Sequence, residues 1–275
     1  MSKLKKIFKK ERGIVIGAVH FMPLLGYPKF PGIMTVSRNA LYDLRAFSRG
    51  GVDGVIFENN YDRPHTVEVT PEVAVSMAYL GKEIVQATRI PVGVDVLWND
   101  FRTGLALAKI LNLSFVRVPV FVDTVKTDCG VIKGDTKEVI AFRKKIKAEH
   151  VAIFTDIHVK HSKLLSRYSI TESARRAIKA GSDGLIITGK WTGDAPDLDE
   201  LARVREVVGQ FPIIVGSGAD EKNAVALLRY ANGVIVGTSL KQGGARKGEH
   251  NVTAYTQRVS EQKVKKFMIR AGSRR

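Results

Sequence analysis

The chain of 275 residues is 44% hydrophobic and 26% charged, a composition typical of a globular protein that buries a large core. No apolar run approaches the roughly 18 residues that span a bilayer. The single cysteine, Cys129, excludes an internal disulfide and favours a reducing, cytoplasmic setting. The formal net charge of +17 suits an anionic partner, but no basic motif interleaved with aromatic residues supports nucleic-acid binding.

Strand and helix patterns alternate along the chain from Gly13 onward. Short apolar runs predict strands at 14–19, 54–57, 92–96, 115–118, 151–156, 184–187, 213–215 and 234–236. Apolar residues at helical spacing predict helices at 36–49, 71–87, 100–111, 136–148, 169–180, 197–208 and 219–229, with a last helix within 251–269. Eight strands that alternate with helices predict an α/β fold of the (β/α)8 TIM-barrel type.

Basic residues are concentrated at both ends of the chain. We predict a basic tail at 1–12, a single barrel domain at 13–270 and a second basic tail at 271–275. The first tail is expected to be frayed and solvated. With its apolar residues Leu4 and Phe8 it also fits a short amphipathic helix that would dock on an anionic membrane surface.

The last two predicted strands end in small residues. The turns are Gly216-Ser217-Gly218 and Gly237-Thr238-Ser239. Glycine lets the backbone approach an anion closely, and the amides that open the next helix point at it. Because phosphate sites of TIM barrels often follow strands seven and eight, we predict that these six residues bind a phosphate group. The alternative is that the glycines only make tight turns.

Titratable side chains stand near the carboxyl ends of several predicted strands, where a TIM barrel builds its active site. The catalytic candidates are His20, Glu58, Asp95, Asp156, His158 and Lys160. If the fifth strand stays extended, Asp156, His158 and Lys160 share one face. Such groups can act as proton donors and acceptors, and a desolvated lysine can form a Schiff base with a carbonyl substrate. The alternative for each residue is a structural role.

Several strand-to-helix loops are long, and we interpret 59–70 and 119–135 as lids over the mouth of the barrel. The candidate His, Asp and Glu residues are also suitable ligands for a divalent metal, although they lack a compact spacing motif.

Seven segments together resemble the BtpA/SgcQ family of ribulose-phosphate-binding-like barrels. They are GAVHFMPL at 17–24, IFENN at 56–60, GVDVLWND at 93–100, TDCG at 127–130, DIHVKH at 156–161, GSG at 216–218 and GVIVGTSLK at 233–241. The resemblance implies a barrel and, for photosynthetic members, a role in photosystem I biogenesis at the membrane periphery. It brings no settled reaction.

The sequence favours an enzyme that acts on a small phosphorylated metabolite, a sugar or nucleoside phosphate, by acid–base or Schiff-base chemistry. Isomerase, lyase and phosphoribosyl chemistry all stay open. The alternative is a non-catalytic assembly factor at the membrane periphery. Barrels with exposed apolar helix faces also form homo-oligomers, so an oligomer is a further expectation.

Overall fold

The computed structural model describes residues 2–243 and 256–272, and its centre is a closed barrel of eight parallel strands. In chain order the barrel strands are β1 (Ile14–His20), β2 (Gly54–Glu58), β3 (Val92–Asp95), β4 (Phe115–Val118), β5 (Ala152–Ile157), β6 (Gly184–Ile187), β7 (Ile213–Val215) and β8 (Gly233–Val236). Each strand pairs with the next one along the chain, and β8 pairs with β1 to close the ring. The predicted (β/α)8 barrel is confirmed, and each strand lies within one residue of its predicted bounds.

Helices surround the barrel, the first at its amino end and the others on its outside. They are α1 (Lys3–Phe8), α2 (Ile33–Gly50), α3 (Pro71–Ala87), α4 (Phe101–Ile110), α5 (Thr136–Lys145), α6 (Ile170–Lys179), α7 (Leu198–Val208), α8 (Ala224–Tyr230) and α9 (Glu261–Arg270). Side-chain caps fix several of their starts: the Ser169 hydroxyl accepts the amide N–H of Glu172 at 3.2 Å, at the beginning of α6. These helices, α1 apart, correspond to the predicted ones.

Buried apolar side chains form two layers because strand residues alternate between the barrel interior and the helices. The interior cluster contains Ile14, Ile16, Ala18, Ile56, Phe115, Ala152, Phe154, Ile186, Ile214 and Ile235. Within it the ring centroids of Phe115 and Phe154 are 5.1 Å apart. A larger cluster joins the outer side of the strands to the helices. Polar residues at the carboxyl ends of the strands therefore lie above this apolar interior cluster.

Helix α1 packs against the interior cluster at the amino end of the barrel. Leu4 and Phe8 are only 1% and 6% exposed, and the ring centroid of Phe8 is 5.8 Å from that of Phe115. The expectation of a frayed tail at 1–12 is therefore wrong for α1, because burial of these apolar side chains orders the segment. The same burial keeps Leu4 and Phe8 away from a lipid surface.

We expect Phe8→Ala to lower the free energy of unfolding by about 3 kcal/mol, because it removes a buried aromatic side chain and leaves a cavity. Urea unfolding followed by circular dichroism measures this loss. Lys6→Ala, in the same helix at an exposed position, is the matched control and should change stability by less than about 0.5 kcal/mol. Equal effects of the two substitutions would show that α1 does not support the barrel.

The predicted lid at 119–135 contains regular structure of its own. Strands Thr124–Thr127 and Gly130–Lys133 form an antiparallel hairpin, and Lys163–Leu164, from the loop after β5, pairs with Thr124–Thr127. Sequence reasoning missed this sheet because its pairing joins two loops that are distant in sequence. It covers a small apolar cluster of Trp98, Val120, Val125, Ile132 and Val159.

The carboxyl end of the chain is described only in part. Helix α9 lies where the last helix was predicted, while residues 273–275 of the predicted tail at 271–275 lie outside the described residues. Among the described helices, none combines the length and the apolar character that a bilayer crossing requires.

Candidate active site

The turns after β7 and β8 line one cavity of about 310 Å³. The two strands are neighbours in the barrel, with Val215 opposite Val234, so their carboxyl ends open on the same side. All six residues of the predicted phosphate site, at 216–218 and 237–239, line this cavity. The structure thus brings together the two turns that the sequence singled out.

The two serine hydroxyls of these turns are occupied by the protein itself. Ser217 Oγ donates to the carbonyl of Asp194 at 2.9 Å, and Ser239 Oγ donates to the carbonyl of Ala219 at 2.8 Å. Within the described residues, the amide N–H groups of Gly218, Thr238 and Ser239 have no acceptor. Ser239 therefore joins the second turn to the residue after the first, and Ser217 joins the first turn to the loop after β6. Backbone amides are the donors left for a ligand.

Gly218 requires glycine for two reasons. Its φ of +68° lies in the left-handed region, and a Cβ atom would lie 2.0 Å from the amide nitrogen of Ala195. Backbone from the loop after β6 therefore packs directly on the first turn.

The helix expected to open directly after Gly218 begins later than predicted. Helix α8 starts at Ala224 rather than at 219, because Asp220 makes a local turn in which its carboxylate accepts the amides of Lys222 and Asn223 at 2.7 and 3.0 Å. Amides that open α8 are therefore not part of the turn, contrary to the expectation from sequence.

An arginine stands at the centre of the acidic residues of the mouth. Arg117, on β4, donates from Nε and Nη2 to the two carboxylate oxygens of Asp156, both at 2.8 Å. Its Nη1 lies 3.5 Å from Asp95 Oδ2 and 3.8 Å from Glu58 Oε1. All four side chains are buried. The bidentate pair fixes the guanidinium, which then faces two further carboxylates.

Burial controls the protonation of this cluster. It raises the pKa of Asp95 well above the ordinary value; the positive charge of Arg117 opposes the rise, whereas Glu58 and Asp156 add to it. Burial alone would lower the pKa of Arg117, but Asp156, Asp95 and Glu58 together raise it above its ordinary value. Arg117 is therefore permanently charged, and Asp95 keeps its proton to a higher pH than an ordinary aspartate does.

Two further titratable groups line the cavity, and burial lowers the pKa of both. Burial and the charge of Arg117 together lower the pKa of Lys160 to about 8, although Glu58 and Asp156 act to raise it. Burial and the charges of Lys241, Lys160 and Arg117 lower the pKa of His20 well below 6.5. His20 Nε2 lies 3.6 Å from Glu58 Oε2. Near neutral pH, His20 is therefore uncharged, whereas Lys160 exchanges its proton readily.

Metal ligation by these residues was a further expectation from the sequence. Within residues 2–243 and 256–272, no group of three or more His, Cys, Asp or Glu side chains is arranged to hold a metal ion. Glu58, Asp95 and Asp156 instead face the guanidinium of Arg117. In this cluster an arginine supplies the positive charge.

Comparison with known proteins places the chain in a family. The model of the BtpA family matches residues 11–271. The chain belongs to the BtpA family. This confirms the resemblance that the sequence motifs indicated.

Among its BtpA-like relatives, the photosystem I biogenesis protein BtpA of Synechocystis sp. is 37% identical over 233 residues, which cover 84% of this chain and 81% of that protein. An uncharacterized protein of Archaeoglobus fulgidus is 36% identical over 230 residues, which cover 84% of this chain and 92% of that protein. The solved structure of orotidine 5′-phosphate decarboxylase from Pyrococcus horikoshii is similar, with a TM-score of 0.58, 12% identity and coverage of 94% and 99% of the two chains. At this identity the likeness shows the fold alone.

In this BtpA-family chain, three of the six catalytic candidates line the cavity with the two turns: His20, Glu58 and Lys160. Asp95 and Asp156 lie below them, against Arg117. They are buried to 0% and 2% exposure, so the structure places them behind the arginine rather than on the cavity wall.

The expectation that Asp156, His158 and Lys160 share one face is wrong for His158. Strand β5 ends at Ile157, and His158 has a φ of +52°, which breaks the alternation of an extended strand. Its amide donates to Asp123 Oδ2 at 3.3 Å, and the residue lies outside the cavity that the turns line. The alternation of side chains along a strand does not reveal that the next residue adopts a left-handed backbone conformation.

Sequence reasoning missed Arg117, which lines the cavity. The signal was present: Arg117 is the one charged residue in the strand Phe-Val-Arg-Val. A charge within a buried strand requires paired partners, and the acidic residues on β2, β3 and β5 are those partners.

Proposed function

We propose that this chain is an enzyme that acts on a small phosphorylated metabolite, a sugar or nucleoside phosphate, whose phosphate binds between the turns at 216–218 and 237–239. The observation that supports this most strongly is that both turns line one cavity together with Glu58, Arg117 and Lys160. Backbone amides suit the phosphate, and Lys160 and Arg117 add positive charge on the same side.

The residues on the cavity wall suit proton transfer next to such a phosphate. Lys160, with a pKa of about 8, is a proton donor and acceptor near neutral pH. Glu58 stands beside the uncharged His20 and is the second candidate for proton transfer. Arg117 lines the same cavity and can stabilise negative charge on a substrate oxygen. The lowered pKa of Lys160 also suits imine formation with a carbonyl substrate.

The fold neighbour named orotidine 5′-phosphate decarboxylase is, by its name, an enzyme of a phosphorylated compound. This likeness supports the proposal only by analogy of fold. The name of the Synechocystis relative is the basis of the alternative, an assembly factor at a membrane. We prefer the enzyme because the apolar residues of α1 pack inside the barrel, whereas the mouth is lined by titratable side chains.

Calorimetric titration with ribose 5-phosphate, with ribose as the control, tests the proposal. We expect ribose 5-phosphate to bind and to raise the melting temperature, because a ligand of the native state stabilises it, and ribose to do neither. Absence of binding by ribose 5-phosphate, by inorganic phosphate and by nucleoside monophosphates at millimolar concentration would refute it.

We also expect the affinity for ribose 5-phosphate to fall as pH rises through about 8, where Lys160 loses its proton. The ligand stays a dianion over this range, because its second pKa is about 6. Lys160→Arg keeps its charge and should abolish this pH step, since an arginine stays protonated throughout this pH range. An unchanged pH profile in Lys160→Arg would show that another group causes the step.

A further inference from the structure

A second cavity of about 230 Å³ adjoins the one that the two turns line. The two cavities have four wall residues in common: Glu58, Asn60, Arg117 and Lys160. They are therefore two compartments of one site, and a ligand that fills both must pass by these four residues. We call them the phosphate compartment and the second compartment.

Four of the thirteen residues that line the second compartment carry aromatic rings. The chain has two tryptophans, Trp98 and Trp191, and both line this compartment. Trp98 extends from the segment after β3 and Trp191 from the loop after β6, so two distant loops meet here. The ring centroid of His161, also on the wall, is 5.5 Å from that of Trp191. Flat rings on the wall provide stacking surfaces for a flat ligand.

Polar groups also line this compartment. Asp128 lines the compartment, and its Oδ1 accepts the indole N–H of Trp98 at 3.2 Å. His65 is 9% exposed and also lines it, and its Nε2 has no hydrogen-bond partner among the described residues. A purely apolar ligand would leave His65 Nε2 unpaired. A ring that carries its own nitrogen and oxygen atoms can pair with it.

We infer that the second compartment binds a planar heteroaromatic ring, so that the substrate is a phosphate ester bearing such a ring, of the nucleoside-monophosphate class rather than a bare sugar phosphate. This inference rests on the proposed function, since it assigns the phosphate to the two turns. The sugar that links ring and phosphate then lies against Glu58, Arg117 and Lys160, where the titratable groups are.

Tryptophan fluorescence tests this inference directly, because both tryptophans line the compartment. The probes are the 5′-monophosphates of adenosine, guanosine, cytidine and uridine, with ribose 5-phosphate as the control. We expect at least one nucleotide to quench the fluorescence and to bind at least about fivefold more tightly than ribose 5-phosphate, the lower end of what base stacking on an aromatic side chain contributes. Ribose 5-phosphate should bind with little quenching.

Trp191 is 45% exposed and therefore outside the core. Its substitution tests whether its ring stacks on the ligand. Trp191→Ala should reduce the affinity of the best nucleotide to that of ribose 5-phosphate, while Trp191→Phe should keep most of the difference. If ribose 5-phosphate binds and no nucleotide binds more tightly, or if Trp191→Ala weakens both ligands equally, the ring compartment is refuted and the proposed function stands. If no phosphate compound binds, the proposed function fails, and this inference fails with it.

Discussion

Replacement of Arg117 by methionine is expected to lower the free energy of unfolding by about 3–5 kcal/mol, the cost of removing one partner from a buried ion pair. Arg117 is the cation that faces Asp156, Asp95 and Glu58, and without it these carboxylates repel one another in a buried site. Urea unfolding at pH 8 measures the loss. Arg117→Lys keeps the charge but not the two parallel hydrogen bonds to Asp156. Its free energy of unfolding should lie between those of the wild type and Arg117→Met.

The loss in Arg117→Met should also depend on pH. Burial raises the pKa of Asp95 well above its ordinary value, and removal of the guanidinium raises it further. A carboxyl group with a raised pKa in the folded state contributes stability that is complete below the ordinary pKa of about 4 and is lost as pH rises through the raised pKa. The deficit of the variant should therefore be smaller at pH 5 than at pH 8.

Arg143→Met provides a matched control for the arginine experiment. Arg143 pairs with Asp183 at 2.8 Å, as short as the Arg117 contact, but its side chain is 15% exposed rather than 5%. A single pair nearer to water should contribute about 1 kcal/mol or less. An Arg117→Met deficit no larger than that of Arg143→Met, or one that is equal at pH 5 and pH 8, would contradict a central role for the buried cluster.

Replacement of Thr238 by aspartate is expected to abolish the binding of ribose 5-phosphate. Thr238 lines the phosphate compartment in the second turn, and a carboxylate there would stand against the dianionic phosphate. Like charges held together in an interface cost several kcal/mol, so a loss of at least about 100-fold in affinity is expected. Calorimetric titration of the wild type and the variant measures it.

Thr238→Asn is the control for shape, because asparagine has nearly the size of aspartate without the charge. It should retain affinity within about tenfold of the wild type. Both variants should melt near the wild-type temperature without ligand, since Thr238 is not part of the buried core. If aspartate and asparagine weaken binding equally, the effect is one of shape, and the turn at 237–239 does not hold the phosphate.

Much of the fold could be predicted because the barrel strands are short, apolar and bounded by turns. Strands at 115–118, 184–187 and 213–215 have the same bounds in the structure as in the prediction. Convergence of the two glycine turns followed from the order of the last strands, since neighbouring parallel strands end on the same side. His20, Glu58 and Lys160 reach the cavity for the same reason.

The parts that could not be predicted depend on contacts between distant segments. Docking of α1 required knowing that Phe8 meets Phe115, and the sheet over the mouth joins Thr124–Thr127 to Lys163–Leu164. His158 leaves the face of Asp156 through a left-handed residue that follows no periodic rule. The role of Arg117 emerged only when β2, β3 and β5 were placed around it.

A crystal structure of the protein soaked with ribose 5-phosphate tests phosphate binding most directly. We predict density for the phosphate inside the cavity of about 310 Å³, with its oxygens about 2.7–3.2 Å from backbone amides of both turns. At saturating ligand, a phosphate bound elsewhere on the protein, or one that contacts neither 216–218 nor 237–239, would contradict the proposal.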